Sequence, residues 1–154
     1  MDLDRIDRHI LSLLQRNNRL TNVELAQQVG LSAPACLRRV RALRDAGVIE
    51  ADISLLSPDA IGRKVTVIVG VTMARGSTDV LDAFKRKMQA TPAVTQCYLV
   101  TGDVDFVLVV QVEDMNAYQA FLERVLYDDP AVREMTSQVV VSRTKFEPNP
   151  PIDP

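Results

Sequence analysis

The residues best equipped for chemistry in this 154-residue chain are arginines, with Arg38, Arg39, Arg41 and Arg44 falling in one short stretch. A guanidinium donates through a planar fork that matches a phosphate or the N7/O6 edge of guanine. Several of them on one helix therefore point toward nucleic acid. Other reactive types are sparse. His9 is the sole histidine and reads as a solvated residue near the exposed side of the first helix. Cys36 and Cys97 stand far apart, so neither a zinc set nor a disulfide framework is indicated, and no metal or cofactor is expected. Asp128-Asp129 reads as the end of a helix, since no further carboxylates cluster at calcium-ligand spacing. Tyr98, Phe106, Tyr118 and Phe121 follow strand or helix periodicity and read as core or interface residues.

The setting of the arginines gives them meaning. Ile6, Ile10, Leu13 and Leu14 share one face of a first helix running from an Asp4 N-cap to Arg16. Thr21 opens a second helix, with Glu24 three residues on to complete a capping box, and Gly30 ends it. Ser32 caps a third, with Pro34 in its first turn, and this helix runs to Gly47. The order Ala26, Gly30, Cys36 places a small residue at a helix crossing, a glycine in the turn and an apolar residue facing inward. That is the spacing of a helix-turn-helix. Cys36, Val40 and Leu43 line the inner face of helix three; Arg38 and Arg41 project outward, with Arg39 and Arg44 on the flanks. Ser32, Ala33, Pro34 and Ala35, at the start of this helix, are placed to reach deepest into a major groove. The candidate DNA contacts are thus Ser32, Ala33, Pro34, Ala35, Arg38, Arg39 and Arg41. Charge alone would fit a merely solvated amphipathic helix equally well; the turn spacing favours DNA.

The net charge of −2 divides unevenly. Residues 1–49 hold eight arginines against five acids, a balance of +3, and residues 50–154 hold ten basic against fifteen acidic side chains, a balance of −5. Only the first part is suited to approach phosphate. Residues 48–56 alternate loosely and could add one or two short wing strands, and 57–63 form a turn-rich linker. The remainder reads as strand (64–73), helix (77–90), strand (94–101), turn at Gly102-Asp103, strand (106–112), helix capped by Asp114, and strand (134–145). This order predicts an α+β chain with a ferredoxin-like βαββαβ sheet carrying both helices on one face. Strands apolar at nearly every position call for a cover on the second face, and a second subunit is the economical one. The Pro-rich tail, 147–154, is read as mobile.

Taken together, these stretches resemble the Lrp/AsnC family of prokaryotic transcription regulators. The resemblance rests on Leu3-Asp4-Arg5-Ile6-Asp7-Arg8-His9-Ile10-Leu11, Glu24-Leu25-Ala26, Val29-Gly30-Leu31-Ser32, Cys36 to Leu43, Ala46-Gly47-Val48-Ile49, Thr101 to Phe106, and the last strand ending at Lys145. It implies a DNA-binding domain at 1–56, a linker at 57–63, and an effector-binding and oligomerisation domain at 64–146. It also implies a double-stranded operator as partner, homodimers that assemble further into octamers, and an amino acid or related small molecule as effector. The implied effector residues are Thr101, Gly102, Asp103, Asp105, Met135, Thr136 and Ser137. Aspartates can accept from an ammonium, hydroxyls and loop amides can donate to a carboxylate, and glycine permits close approach. Gly-Asp between apolar strands is equally an ordinary hairpin turn. The chain departs from the family where many members carry two hydroxyl residues around one intervening position; here stand Met135, Thr136 and Ser137.

Two other classes are weighed. Some decarboxylases of tetrapyrrole biosynthesis look like the same two-domain fold, but this chain has no histidine in its second part for acid–base work. An oligomerisation module without DNA binding would not need the arginine face. The chain is therefore expected to be a regulator and not an enzyme. Its acidic N-terminus and the lack of a long apolar run predict a cytoplasmic protein without membrane contact.

Overall fold

The computed structural model describes residues 2–74 and 78–153. They divide into two compact units, one of residues up to Leu55 together with Lys145 onward, the other Leu56–Thr144.

The first unit is built on α1 (Arg5–Arg16), α2 (Asn22–Val29) and α3 (Ala33–Asp45). Reciprocal capping boxes start the first two helices: Asp7 N–H donates to Asp4 Oδ1 at 2.8 Å, and Thr21 N–H donates to Glu24 Oε2 at 2.7 Å. Gly30 ends α2 at φ +70°, a left-handed conformation that costs glycine little. Ile10, Leu11, Leu25, Ala26, Cys36, Val40 and Leu43 are buried together as the core. The spacing of Ala26, Gly30 and Cys36 thus does what the sequence predicts. Burial pushes the Cys36 thiol pKa up, which leaves it protonated and inert.

An ionic clasp joins two of these helices. Arg39 Nη1 donates to Asp4 Oδ2 at 2.7 Å and to Asp7 Oδ1 at 2.8 Å. The Arg39 side chain is 34% exposed and Asp7 only 5%. One turn of α3 is thereby tied to the cap of α1.

Two stretches differ from expectation. Residues 50–57 carry no strand, although they alternate, because no partner strand lies beside them among the described residues; Ile53 is 64% exposed and Leu55 58%. The tail is seated and not free. Gln15 Nε2 donates to the Pro150 carbonyl at 2.9 Å, and Ile152 packs against the three-helix core.

The second unit contains β1 (Val65–Met73), α4 (Thr78–Gln89), β2 (Val94–Leu99), β3 (Phe106–Val112), α5 (Met115–Phe121) with a π-helical continuation at Leu122–Tyr127, and β4 (Val132–Val139). The predicted start of α4 at Ser77 lies outside the described residues. The sheet is antiparallel in the order β2-β3-β1-β4, the ferredoxin-like arrangement. Val67, Val69 and Val71 of β1 and Phe106, Leu108 and Val110 of β3 turn one face to Phe84 and Met88 of α4 and to Tyr118, Phe121 and Leu126. Phe84 and Phe106 meet with ring centroids 4.8 Å apart. The opposite face carries Ile68, Val107 and Val109 among polar residues and has no helix over it among the described residues.

Strand β4 ends earlier than its run of valines predicts. Its one neighbouring strand among the described residues, β1, begins at Val65, and Val140 N–H bonds Thr66 O at 2.9 Å. Val141 beyond it is 98% exposed. A β-prone run without a partner strand does not extend a sheet.

Arg39→Ala should lower the stability of the protein at pH 7 by roughly 1–3 kcal/mol, toward the low end for a partly exposed arginine, because Asp7 Oδ1 loses its partner while buried. The Asp7 backbone N–H, then Arg39, hold the Asp4 carboxyl below its ordinary value. Stabilisation of that sign is full above the ordinary carboxylate range and lost as pH falls through the folded-state value. Urea titrations should therefore find wild type and Arg39→Ala converging as pH drops below about 4.

Candidate DNA-binding face and ligand cleft

The outward side of α3 is organised by what its inward side consumes. Cys36, Val40 and Leu43 are spent on the core, and Arg39 on Asp4 and Asp7. Arg39, one of the predicted contacts, is held by the carboxylates of Asp4 and Asp7 inside the same unit. Arg44 is paired as well, to Asp52 at 2.9 Å. Arg38 and Arg41 remain exposed, and neither enters an ion pair among the described residues. Three positions apart on a helix, they share a face.

At the start of the same helix, Ser32 occupies the N-cap position at φ −70°, ψ 150°, but its hydroxyl makes no capping bond. No acid stands in the first turn. The Ser32 hydroxyl and the positive end of the helix are therefore both unspent, an arrangement that favours an incoming anion. Ser32 and Pro34 are exposed, whereas Ala33 and Ala35 are half-buried. Asn22 Nδ2 donates to the Ala33 carbonyl at 2.7 Å and fixes the turn between α2 and α3.

In the second unit the loop after β2 and the strand β4 meet beside β1. A cleft of about 200 Å³ is lined there by Gly70, Thr72, Asp103, Val104, Glu134, Met135 and Thr136. Of the predicted effector residues, Asp103, Met135 and Thr136 come together in this cleft. Thr101 and Gly102 sit in the adjoining loop without lining it, Gly102 at φ +118°. Asp105 and Ser137 are employed elsewhere. One Asp105 oxygen accepts from Met73 N–H at 2.7 Å and its own N–H donates to Val71 O at 2.9 Å, so it stitches the loop to β1. The Ser137 hydroxyl bonds the Tyr118 hydroxyl at 2.6 Å, on the helix side of the sheet. Strand alternation explains this: Thr136 and Ser137 are neighbours and must face opposite ways.

Sequence reasoning missed Gly70, Thr72, Val104 and Glu134. A glycine inside a β-branched run signals a close approach to the strand, and that was the available clue to Gly70. Glu134 and Thr72 gave none, because their proximity depends on the β1–β4 register that pairs them.

Among the described residues no group of three or more His, Cys, Asp or Glu could hold a metal ion, and no helix is long and apolar enough to cross a membrane.

Comparison with known proteins bears on both regions. Residues 3–50 match the family of winged helix-turn-helix DNA-binding domains, and residues 66–150 match the Lrp/AsnC ligand binding domain. The leucine-responsive regulatory protein of Escherichia coli is 41% identical over 144 residues, covering 94% of this chain and 88% of that protein. An uncharacterized HTH-type transcriptional regulator of Sinorhizobium fredii is 47% identical over 145 residues, covering 94% and 86%. Among solved structures, a transcriptional regulator of Neisseria meningitidis in complex with L-Met superposes with a TM-score of 0.91 at 35% identity, covering 97% of each chain. With both halves matched in order, the chain belongs to the Lrp/AsnC family and is a transcriptional regulator that joins a helix-turn-helix DNA-binding domain to a ligand-binding domain.

Proposed function

We propose that this regulator binds a partly palindromic operator as a homodimer or larger assembly, octamers included, and that an amino acid held in the Gly70–Thr136 cleft modulates that binding. The observation that carries the DNA half is the unspent face of α3: Ser32, Pro34, Arg38 and Arg41, with Arg39 withdrawn into the clasp. Ala33 and Ala35 flank this face and offer only apolar contact, suited to thymine methyl groups. Arg38 and Arg41 supply phosphate contacts in this reading, and their guanidinium forks match a guanine edge. In a two-fold dimer, paired recognition helices would reach half-sites roughly 34–36 Å apart.

The ligand half is supported by the cleft's place inside the matched ligand-binding region and by the L-Met complex of the Neisseria relative. Asp103 is the ammonium acceptor in this reading, with Thr136 and the amides of the Thr101–Gly102 turn as carboxylate donors. The uncovered sheet face around Ile68, Val107 and Val109 is the surface through which two copies pair. The domain division follows: DNA binding by residues 1–56, a linker at 57–63, and effector binding and oligomerisation by 64–146, with the seated tail serving the first unit. We read the protein as a regulator and not a catalyst, acting in the cytoplasm where its operator lies.

Arg38→Ala combined with Arg41→Ala should weaken operator binding steeply and flatten the slope of log K against log salt by about 2, one for each lost phosphate contact. Mobility shifts over a salt series check this, and an unchanged slope would remove α3 as the reading helix. A thermal-shift screen of the twenty amino acids should raise the melting temperature for the effector, since a ligand of the folded state stabilises it.

A further inference from the structure

Helix α1 turns one face to the core of its unit through Ile6, Ile10 and Leu14. At about 3.6 residues per turn, its opposite face carries Arg5, Arg8, Ser12 and Arg16. The three arginines are exposed and enter no ion pair among the described residues. Helix stability does not account for two of them. Arg5 and Arg8 stand at the start of α1, the positive end of the helix, where an arginine is the unfavourable charge. The acids beside them in sequence, Asp4 and Asp7, are bonded to Arg39.

Residues 1–49 hold eight arginines and no lysine, and a guanidinium fork grips a phosphate in two places where an ammonium grips it as a point charge. From Arg5 to Arg16 the helix rises roughly 16 Å, the axial reach of about five phosphates on one DNA strand.

Ser12 sits in the middle of this outward face and is nevertheless only 4% exposed, and the C-terminal tail crosses α1 beside it. The crossing is loose. Gln15 Nε2 holds the Pro150 carbonyl at 2.9 Å and Ile152 reaches the core. A gap of about 370 Å³ remains between Gln15 and Arg16 on one side and Glu147, Asn149 and Ile152 on the other. Pro148, Pro150 and Pro151 offer no N–H with which the tail might be fastened. Glu147 and Asp153 bring negative charge to a basic face, as a phosphate strand would.

We propose that the outward face of α1 is a second, sequence-independent contact for the backbone of duplex DNA, made by Arg5, Arg8 and Arg16. The tail is a displaceable cover over its Arg16 end. This surface lies on the side of α1 away from the core that α3 helps to build, so it is separate from the reading face. It adds affinity without adding sequence preference, since phosphates carry none.

Fluorescence anisotropy of the full-length protein on a random-sequence duplex, over a salt series, tests this without requiring an operator. Arg5→Ala combined with Arg8→Ala should weaken binding and flatten the slope of log K against log salt by about 2. The same decrement should appear in an Arg38→Ala, Arg41→Ala background, because the two faces are separate. Ending the chain after Phe146 should tighten binding at least about threefold, since a contact binds in proportion to the time it is uncovered. Adding Arg16→Ala to the shortened chain should remove that gain. Gln15→Ala, at an exposed helix position, loses only the bond to Pro150 and should tighten binding to a smaller extent. Circular dichroism checks the fold of each variant, and Gln15→Ala decides the matter if the shortened chain does not fold. An unchanged slope for Arg5→Ala with Arg8→Ala, or a decrement that vanishes in the α3 background, would overturn the second surface. Binding no tighter than wild type in both the shortened chain and Gln15→Ala would overturn the cover.

Discussion

Strand β1 is bonded along both edges, to β3 from Val65 to Val71 and to β4 from Val67 to Met73. A strand bonded on both sides can vary only its two faces, and those faces alternate residue by residue. Val67, Val69 and Val71 close the core on one of them, while Thr66, Ile68, Gly70 and Thr72 face the other. Core and cleft therefore share a single backbone. The close packing that holds Val69 and Val71 in place also holds Gly70 and Thr72, so the floor of the cleft is as rigid as the core beneath it. A one-residue slip would exchange the two sets and destroy both.

The first unit follows a comparable economy with charge. Over residues 1–49 arginines outnumber acids, yet two of the four in α3 are engaged within the unit, Arg39 by Asp4 and Asp7 and Arg44 by Asp52. Those pairs tie the helix down; Arg38 and Arg41 enter no ion pair among the described residues. Asp4 serves twice, as the N-cap of α1 and as one jaw of the clasp. The return of the chain at Lys145 places tail residues against α1, so this unit is tethered to the sheet domain by two covalent crossings, one after Leu55 and one before Lys145. β4, which contributes Glu134, Met135 and Thr136 to the cleft, leads directly into that second crossing.

Local signals served best where the physics is local. Capping boxes at Asp4 and Thr21, the left-handed Gly30, and the inward row Cys36, Val40 and Leu43 depend on residues three or four apart, and all three helices could be placed from them. Ser32 is the exception: its cap position was legible, but the missing hydroxyl bond was not. In the sheet domain the element order was legible from apolar runs, but strand ends were not. Residues 50–57 and Val141 have strand-like composition and lack a neighbour, and a neighbour is a property of the fold.

By itself, the sequence determined the identity and order of the elements, because periodicity and end-capping are encoded within a few residues, and it determined which residue types were on offer at the two sites. Tertiary structure alone decided which of them have partners inside the protein. Arg39 and Asp105 have the right chemistry but are claimed by partners 32 positions away. Ser137 is turned to Tyr118 by strand alternation. Gly70, Thr72 and Glu134 enter the cleft through a register that brings distant strands side by side. A charged or hydroxyl group forms a binding site only where the fold has left it unsatisfied, and that balance is struck by contacts remote in sequence.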